Sequence, residues 1–153
     1  MPLQRLKNYL DEHHVSYELI PHAETATAQE TAAAAHIPGR ELAKTVIVEI
    51  DGHWAMVALP ASDQLDTEKL REVTGAGQVR LASEDEFKSI FEDCEVGAMP
   101  PFGNLYGMPV FVDQHLREDT QIAFNAGTHR ELMRMPYDEF ERLVDPVVAI
   151  VHT

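Results

Sequence analysis

Apolar positions along this chain follow two rhythms that trade places from segment to segment. Leu3, Leu6 and Leu10 recur at helical spacing through about residue 13, and VSYELIPH then reads as a strand ending at Pro21. Thr27 and Glu30 form a capping-box pair opening AQETAAAAH, an alanine-rich helix expected to stop near Ile37, Pro38 and Gly39. The runs KTVIVEI and HWAMVALP flank Asp51-Gly52, a dipeptide suited to the left-handed corner of a tight hairpin.

A helix is expected over about Thr67 to Val73, followed by a short strand at QVRLA. Ser83 and Glu86 form a second capping box in front of FKSIFED, read as a helix. MPVFVD, QIAFNAG and ELMRM read as strands, PYDEFERLV as a helix begun by Pro136, and PVVAIVH as a terminal strand or tail. Hairpins interspersed with helices give an α+β fold: a mixed, mostly antiparallel sheet flanked by helices. No repeat, linker or compositional break divides the chain, so residues 1–153 are expected to form a single domain.

Composition narrows the function. The 153 residues are 44% hydrophobic and 25% charged, enough to bury a core of domain size. No stretch has the length of a signal peptide or membrane span, so the expectation is a cytoplasmic protein with no membrane partner. Cys94 is the single cysteine, which excludes an intrachain disulfide framework and a Cys-rich zinc site. The 12 basic against 26 acidic residues leave a net charge of −14, which argues against DNA binding or any broad phosphate-binding surface. A nucleic-acid partner must be gripped locally.

Several chemistries fall away. His22 to Glu24 spell the H-x-E half of a zinc deaminase signature, but the second half needs two further cysteines. The 8 histidines lack metalloprotease spacing, so neither a metal nor another cofactor is expected. His13-His14 reads as a solvated pair at a helix C-terminus. Carboxylates beside Cys94 in EDCEV disfavour a thiolate, and no nucleophile elbow, phosphate-binding loop or dinucleotide fingerprint occurs.

What remains is a constellation. GAMPPFG, from Gly97 to Gly103, combines glycines that admit close approach with prolines that stiffen the backbone. Lys44 stands at the entrance of an apolar strand. FNAGTH, from Phe124 to His129, sets Asn, Gly, Thr and His at the end of another.

AQETAAAAHIPGRELAKTVIVE, the ALP after the hairpin, GAMPPFG and FNAGTH, in that order, resemble the YbaK/ProX-type aminoacyl-tRNA deacylases, freestanding relatives of the prolyl-tRNA synthetase editing domain. The resemblance runs from about Tyr17 to Val144. It implies trans-editing: hydrolysis of the ester joining a wrong amino acid to the terminal adenosine of tRNA. It also raises Lys44 to a site residue, holding the terminal phosphate or ribose or polarising the carbonyl. Under it, the N–H groups of Gly97, Ala98 and Met99 face the oxyanion, and His129 assists or lines the pocket. Thr45, Pro100, Phe102, Gly103, Phe124, Asn125 and Gly127 join them as substrate-binding residues, with Thr45, Met99, Phe102 and Phe124 as pocket walls.

The FNAGTH ending resembles the alanyl-tRNA(Pro) branch, whereas the Thr45 beside the lysine also suits a cysteinyl-tRNA(Pro) branch. The implied substrate is a small residue on tRNA(Pro), alanine ahead of serine or cysteine, with transient partners among synthetases and translation factors. Two other classes stay open on this fold: a noncatalytic module that captures a nucleotide or aminoacyl end, and an esterase or amidase for small molecules.

Overall fold

The computed structural model describes residues 2–22, 32–33, 37–95 and 97–153. The capping box at Thr27 and Glu30, most of the alanine-rich helix, and Ala23 and Glu24 lie outside the described residues. In chain order the elements are α1 (Pro2–Glu12), β1 (Glu18–Pro21), β2 (Leu42–Ile50), β3 (His53–Pro60), α2 (Thr67–Thr74), β4 (Val79–Leu81) and α3 (Glu84–Phe87). A 3₁₀ turn (Gly103–Tyr106) follows, then β5 (Val110–Asp113), α4 (Gln114–Arg117), β6 (Gln121–Asn125), β7 (Glu131–Pro136), α5 (Tyr137–Val144) and β8 (Val147–Ala149).

The described strands form one mixed sheet in the order β1-β7-β6-β2-β3-β5-β8, with β4 joined to β2. The pairs β1/β7, β6/β7, β2/β3 and β2/β4 are antiparallel; β2/β6, β3/β5 and β5/β8 are parallel. This is the α+β fold expected from the hydrophobic pattern. Asp51 and Gly52 take φ of +47° and +84°, the left-handed pair a two-residue hairpin requires, and β2 and β3 zip from Ile50↔His53 to Ala43↔Pro60.

Strand alternation divides the core. Ala43 and Ile47 of β2, Met56 and Ala58 of β3, and Ile122 and Phe124 of β6 face one side, covered by Leu6 and Leu10 of α1 and by Tyr137 and Phe140 of α5. On the other side Val48, Val57 and Leu59 meet Leu70 of α2 and Val151, while Leu42, Ala123 and Leu132 meet Ala32 and Ile37. Asp66 caps α2 by accepting from the N–H groups of Glu68 and Lys69 at 3.0 and 3.2 Å. Among the described residues no helix is long and apolar enough to cross a membrane.

Three local expectations shift. FKSIFED is not a continuous helix: α3 ends at Phe87, and the chain proceeds in tight turns, with Ile90 N–H donating to Phe87 and Cys94 N–H to Phe91. Phe87 and Phe91 nevertheless stay on one buried face, edge to face at 6.2 Å, so packing is retained where the helix is not. The stiff loop continues into the 3₁₀ turn, closed by Gly107 at φ +70°. Finally, α4 is a single turn capped by Asp113, too short to leave a periodic signal.

Candidate active site at the parted edge of strand β2

One edge of β2 is shared by two short partners. β6 pairs only with Leu42 and Ala43, and β4 only with Val48 to Ile50. Between them Lys44, Thr45 and Val46 have no strand neighbour on that side among the described residues, and Ile47 spends its carbonyl on Ala82 N–H at 3.0 Å. An unpaired stretch of backbone inside a sheet is an opening for a ligand, because its polar groups still need partners.

The GAMPPFG loop borders this opening because it is stitched to the chain leaving β6. Glu95 N–H donates to Gly127 carbonyl at 2.8 Å, and Gly127 N–H donates to Ala98 carbonyl at 2.9 Å. His129 N–H adds a bond to the Glu95 carboxylate at 3.1 Å. Gly127 takes φ +99° to make the return, so in this position its role is backbone geometry. Gly97 (φ +84°) neighbours the His129 ring: a Cβ there would stand in ordinary contact, 3.5 Å from His129 Cε1.

A cavity of about 270 Å³ lies over the opening, lined by Thr45, Ile47, Ala82, Phe87, Gly97 and Met99 among others. Gly97 and Met99 N–H groups donate no hydrogen bond among the described residues, whereas Ala98 N–H is spent on Glu95 carbonyl at 3.0 Å. Of the three N–H groups expected to face an oxyanion, that of Ala98 is consumed by the loop's own turn.

Alternation along β2 places Lys44 on the face opposite Thr45, registered against Leu59. Burial pulls its ammonium below the usual lysine range, and the carboxylate of Asp63 opposes that shift. The side chain of Asn125 shares that face, one step beyond the Ala43↔Phe124 register, and its buried Oδ1 has no hydrogen-bond partner among the described residues. Lys44 and Asn125 thus flank the opening from one side of the sheet, and Thr45, Gly97 and Met99 from the other.

Four sequence assignments give way to packing. Phe102 and Phe124 are fully buried and meet edge to face at 5.5 Å, with Phe140 at 5.4 Å from Phe102; they are core and not pocket walls. Gly103 is buried, and a Cβ on it would fall 2.7 Å from Val110 Cγ2 and 2.9 Å from Met108 carbonyl, so it admits close packing of the chain and not of a ligand. Pro100 is buried and stiffens the loop from behind. The lining by Ile47, Ala82 and Phe87 left no signal in the sequence, because the segments that meet there are distant along the chain.

Cys94 offers no alternative nucleophile. Burial lifts its thiol to about 11, with the Asp93 carboxylate adding to the effect against the hydrogen bond shared with Tyr106. The expectation of an inert thiol stands, with desolvation ahead of the neighbouring charges as its cause.

The aminoacyl-tRNA editing domain matches residues 22–143. The proline–tRNA ligase of Halalkalibacterium halodurans is 28% identical over 107 residues, 70% of this chain and 18% of the ligase. That of Bacillus cytotoxicus is 27% identical over 103 residues, 67% of this chain and 18% of the ligase. The chain therefore spans less than a fifth of the curated relatives it matches. In three dimensions a candidate trans-editing enzyme for prolyl tRNA synthetase superposes with a TM-score of 0.84 at 22% identity, over 99% of this chain and 97% of the other. A hypothetical protein of known structure does so with a TM-score of 0.87 at 24% identity, over 97% and 99%. The fold is shared throughout, and by the match across residues 22–143 this chain belongs to the aminoacyl-tRNA editing domain family.

Proposed function

We propose that residues 1–153 act as one editing unit that deacylates misacylated tRNA in trans. The substrate is a small amino acid on tRNA(Pro), alanine ahead of serine or cysteine. One observation carries the reading: the unpaired stretch of β2 opens beside two uncommitted loop N–H groups and a cavity of about 270 Å³.

Water adds to the ester carbonyl carbon, and the oxygen takes up negative charge toward the N–H groups of Gly97 and Met99. One such donor is worth ~3 kcal/mol to the transition state, enough to support catalysis without a side-chain nucleophile. The C–O bond to the ribose then breaks, the ribose oxygen takes a proton, and amino acid and intact tRNA leave. The ribose hydroxyl or the substrate's own amine positions the water, and His129, against Gly97, orients it. From the other face Lys44 supplies a cation for the terminal phosphate or ribose, with Asn125 Oδ1 as an acceptor for the substrate's hydroxyl or amine. The Thr45 and Met99 walls exclude the larger cognate proline, since a methylene alone discriminates by only ~1–3 kcal/mol.

The net charge of −14 confines the grip to the acceptor end and implies a shallow dependence of binding on salt. Transient delivery by a synthetase or translation factor in the cytoplasm completes the reading. The test is release of labelled amino acid from Ala-, Ser-, Cys- and Pro-tRNA(Pro) by the native protein and by Lys44→Ala. Selective, lysine-dependent release from one misacylated species is expected. No release from any of them overturns the tRNA(Pro) assignment.

A further inference from the structure

On the Lys44 side of the sheet, where Asp63 also faces the Lys44 ammonium, three segments distant along the chain bring two carboxylates and two imidazoles together. Asp63 follows β3, Asp113 and His115 stand at the junction of β5 and α4, and His152 lies beside the chain's last residue. One ligand atom from each falls within 4.8 Å of the others.

The carboxylate at the centre is held from below. Asp113 is fully buried; its Oδ1 accepts from Val151 N–H at 2.9 Å and His152 N–H at 3.1 Å, and its Oδ2 from His115 N–H at 3.0 Å. His152 Nδ1 lies 2.9 Å from both oxygens, and His115 Nδ1 lies 2.7 Å from Asp63 Oδ2. The rings stack at 3.9 Å. Both imidazoles therefore aim Nδ1 inward at carboxylate oxygens, and backbone donors fix the central ligand as an outer shell does in a metal site.

We propose that Asp63, Asp113, His115 and His152 form a binding site for a divalent transition-metal ion, zinc in the first instance. Two imidazole nitrogens with two carboxylate oxygens are a donor set that zinc accepts in tetrahedral geometry, at ~2.0–2.2 Å per bond. Such bonds separate neighbouring donors by about 3.3–3.6 Å, so the hydrogen-bonded pairs open slightly and the longer separations contract. A metal lies in the plane of an imidazole that ligates it, so the stacked rings turn apart on binding. His115 is nearly half exposed, which leaves it free to do so. The ion replaces the shared protons and ties the segment after β3, the start of α4 and residue 152 to one centre.

The experiment is a zinc titration of metal-stripped protein by calorimetry, together with its thermal unfolding and the visible spectrum of the cobalt form. Expected are binding at a single equivalent, a raised Tm and the absorption of a tetrahedral cobalt centre. His115→Ala and His152→Ala each weaken binding at least about tenfold, as loss of a ligand must if even an outer-shell change costs ~10–100-fold. Asp63→Asn, which leaves both rings and the Asp113 anchor in place, weakens it similarly. Converting His13 and His14 to Ala changes nothing. Absence of zinc binding, or affinity that survives the His115, His152 and Asp63 substitutions, overturns the proposal and leaves two Asp–His pairs that only fasten the segment around residue 152 to the sheet.

Discussion

Gly97 and His129 stand side by side: a Cβ on Gly97 would meet the ring in ordinary contact, 3.5 Å from His129 Cε1 and 3.7 Å from Nε2, on a backbone held at φ +84°. The glycine thus serves the loop through its left-handed conformation, beside a ring that leaves space for a methyl group. Gly97→Ala is expected to cost ~1–2 kcal/mol of stability from backbone strain. By tilting the N–H away from the developing oxyanion it should lower kcat about 10²–10³-fold. Single-turnover deacylation with tRNA binding measured in parallel checks this; an unimpaired rate would remove Gly97 N–H from the oxyanion site.

Thr45 forms part of the cavity wall on the face opposite Lys44. Thr45→Ala widens the cavity, and the expected outcome is a gain of about tenfold or more in release of proline relative to alanine. Competition between Ala-tRNA(Pro) and Pro-tRNA(Pro) reads the ratio directly. An unchanged ratio would place the specificity wall elsewhere.

Gly103→Ala separates packing from binding within the same loop. Its Cβ would enter the space of Val110 Cγ2 at 2.7 Å and Met108 carbonyl at 2.9 Å, an overpacking worth ~1–3 kcal/mol of stability. Denaturant midpoints should fall accordingly, whereas deacylation by the folded fraction should match the native protein. A raised KM at native stability would restore Gly103 to the substrate.

Asp119 makes the stability depend on pH. Burial first, and Glu41 second, lift its carboxyl to about 6 against the pull of Arg40 at 4.0 Å, and Oδ2 has no hydrogen-bond partner. A folded value above the unfolded ~3.9 means that folding favours the protonated acid. That contribution is complete below about 4 and is lost as pH rises through about 6. Asp119→Asn should therefore stabilise the protein at pH 8, by on the order of 1–2 kcal/mol after solvent screening, and leave it nearly unchanged at pH 4. Thermal unfolding at the two pH values decides; an equal gain at both would exclude the buried charge as its source.

Local signals were legible without coordinates wherever neighbours along the chain carry the physics. The Asp51-Gly52 corner needs only positive φ at two adjacent residues, and the alternation in KTVIVEI and HWAMVALP needs only a sheet with two covered faces. The fold class could be read from the sequence, and short motifs in order nominated Lys44, Gly97, Thr45 and His129 as site residues. Those motifs did not assign their side chains to faces. Phe102 and Phe124 resemble pocket walls in the sequence but fill the core, because the strand and loop that carry them turn the rings inward, Phe124 against Phe102 and Phe102 against Phe140. Lys44 and Thr45 are adjacent in the chain and on opposite faces of β2, and the gap between β6 and β4 that unites them depends on pairings with residues near 80 and 124. The meeting of Asp63, Asp113, His115 and His152 has the same origin. Spacing along a chain determines rhythm and turns, whereas contacts among distant segments are decided only when the sheet closes and the hydrophobic faces choose their partners.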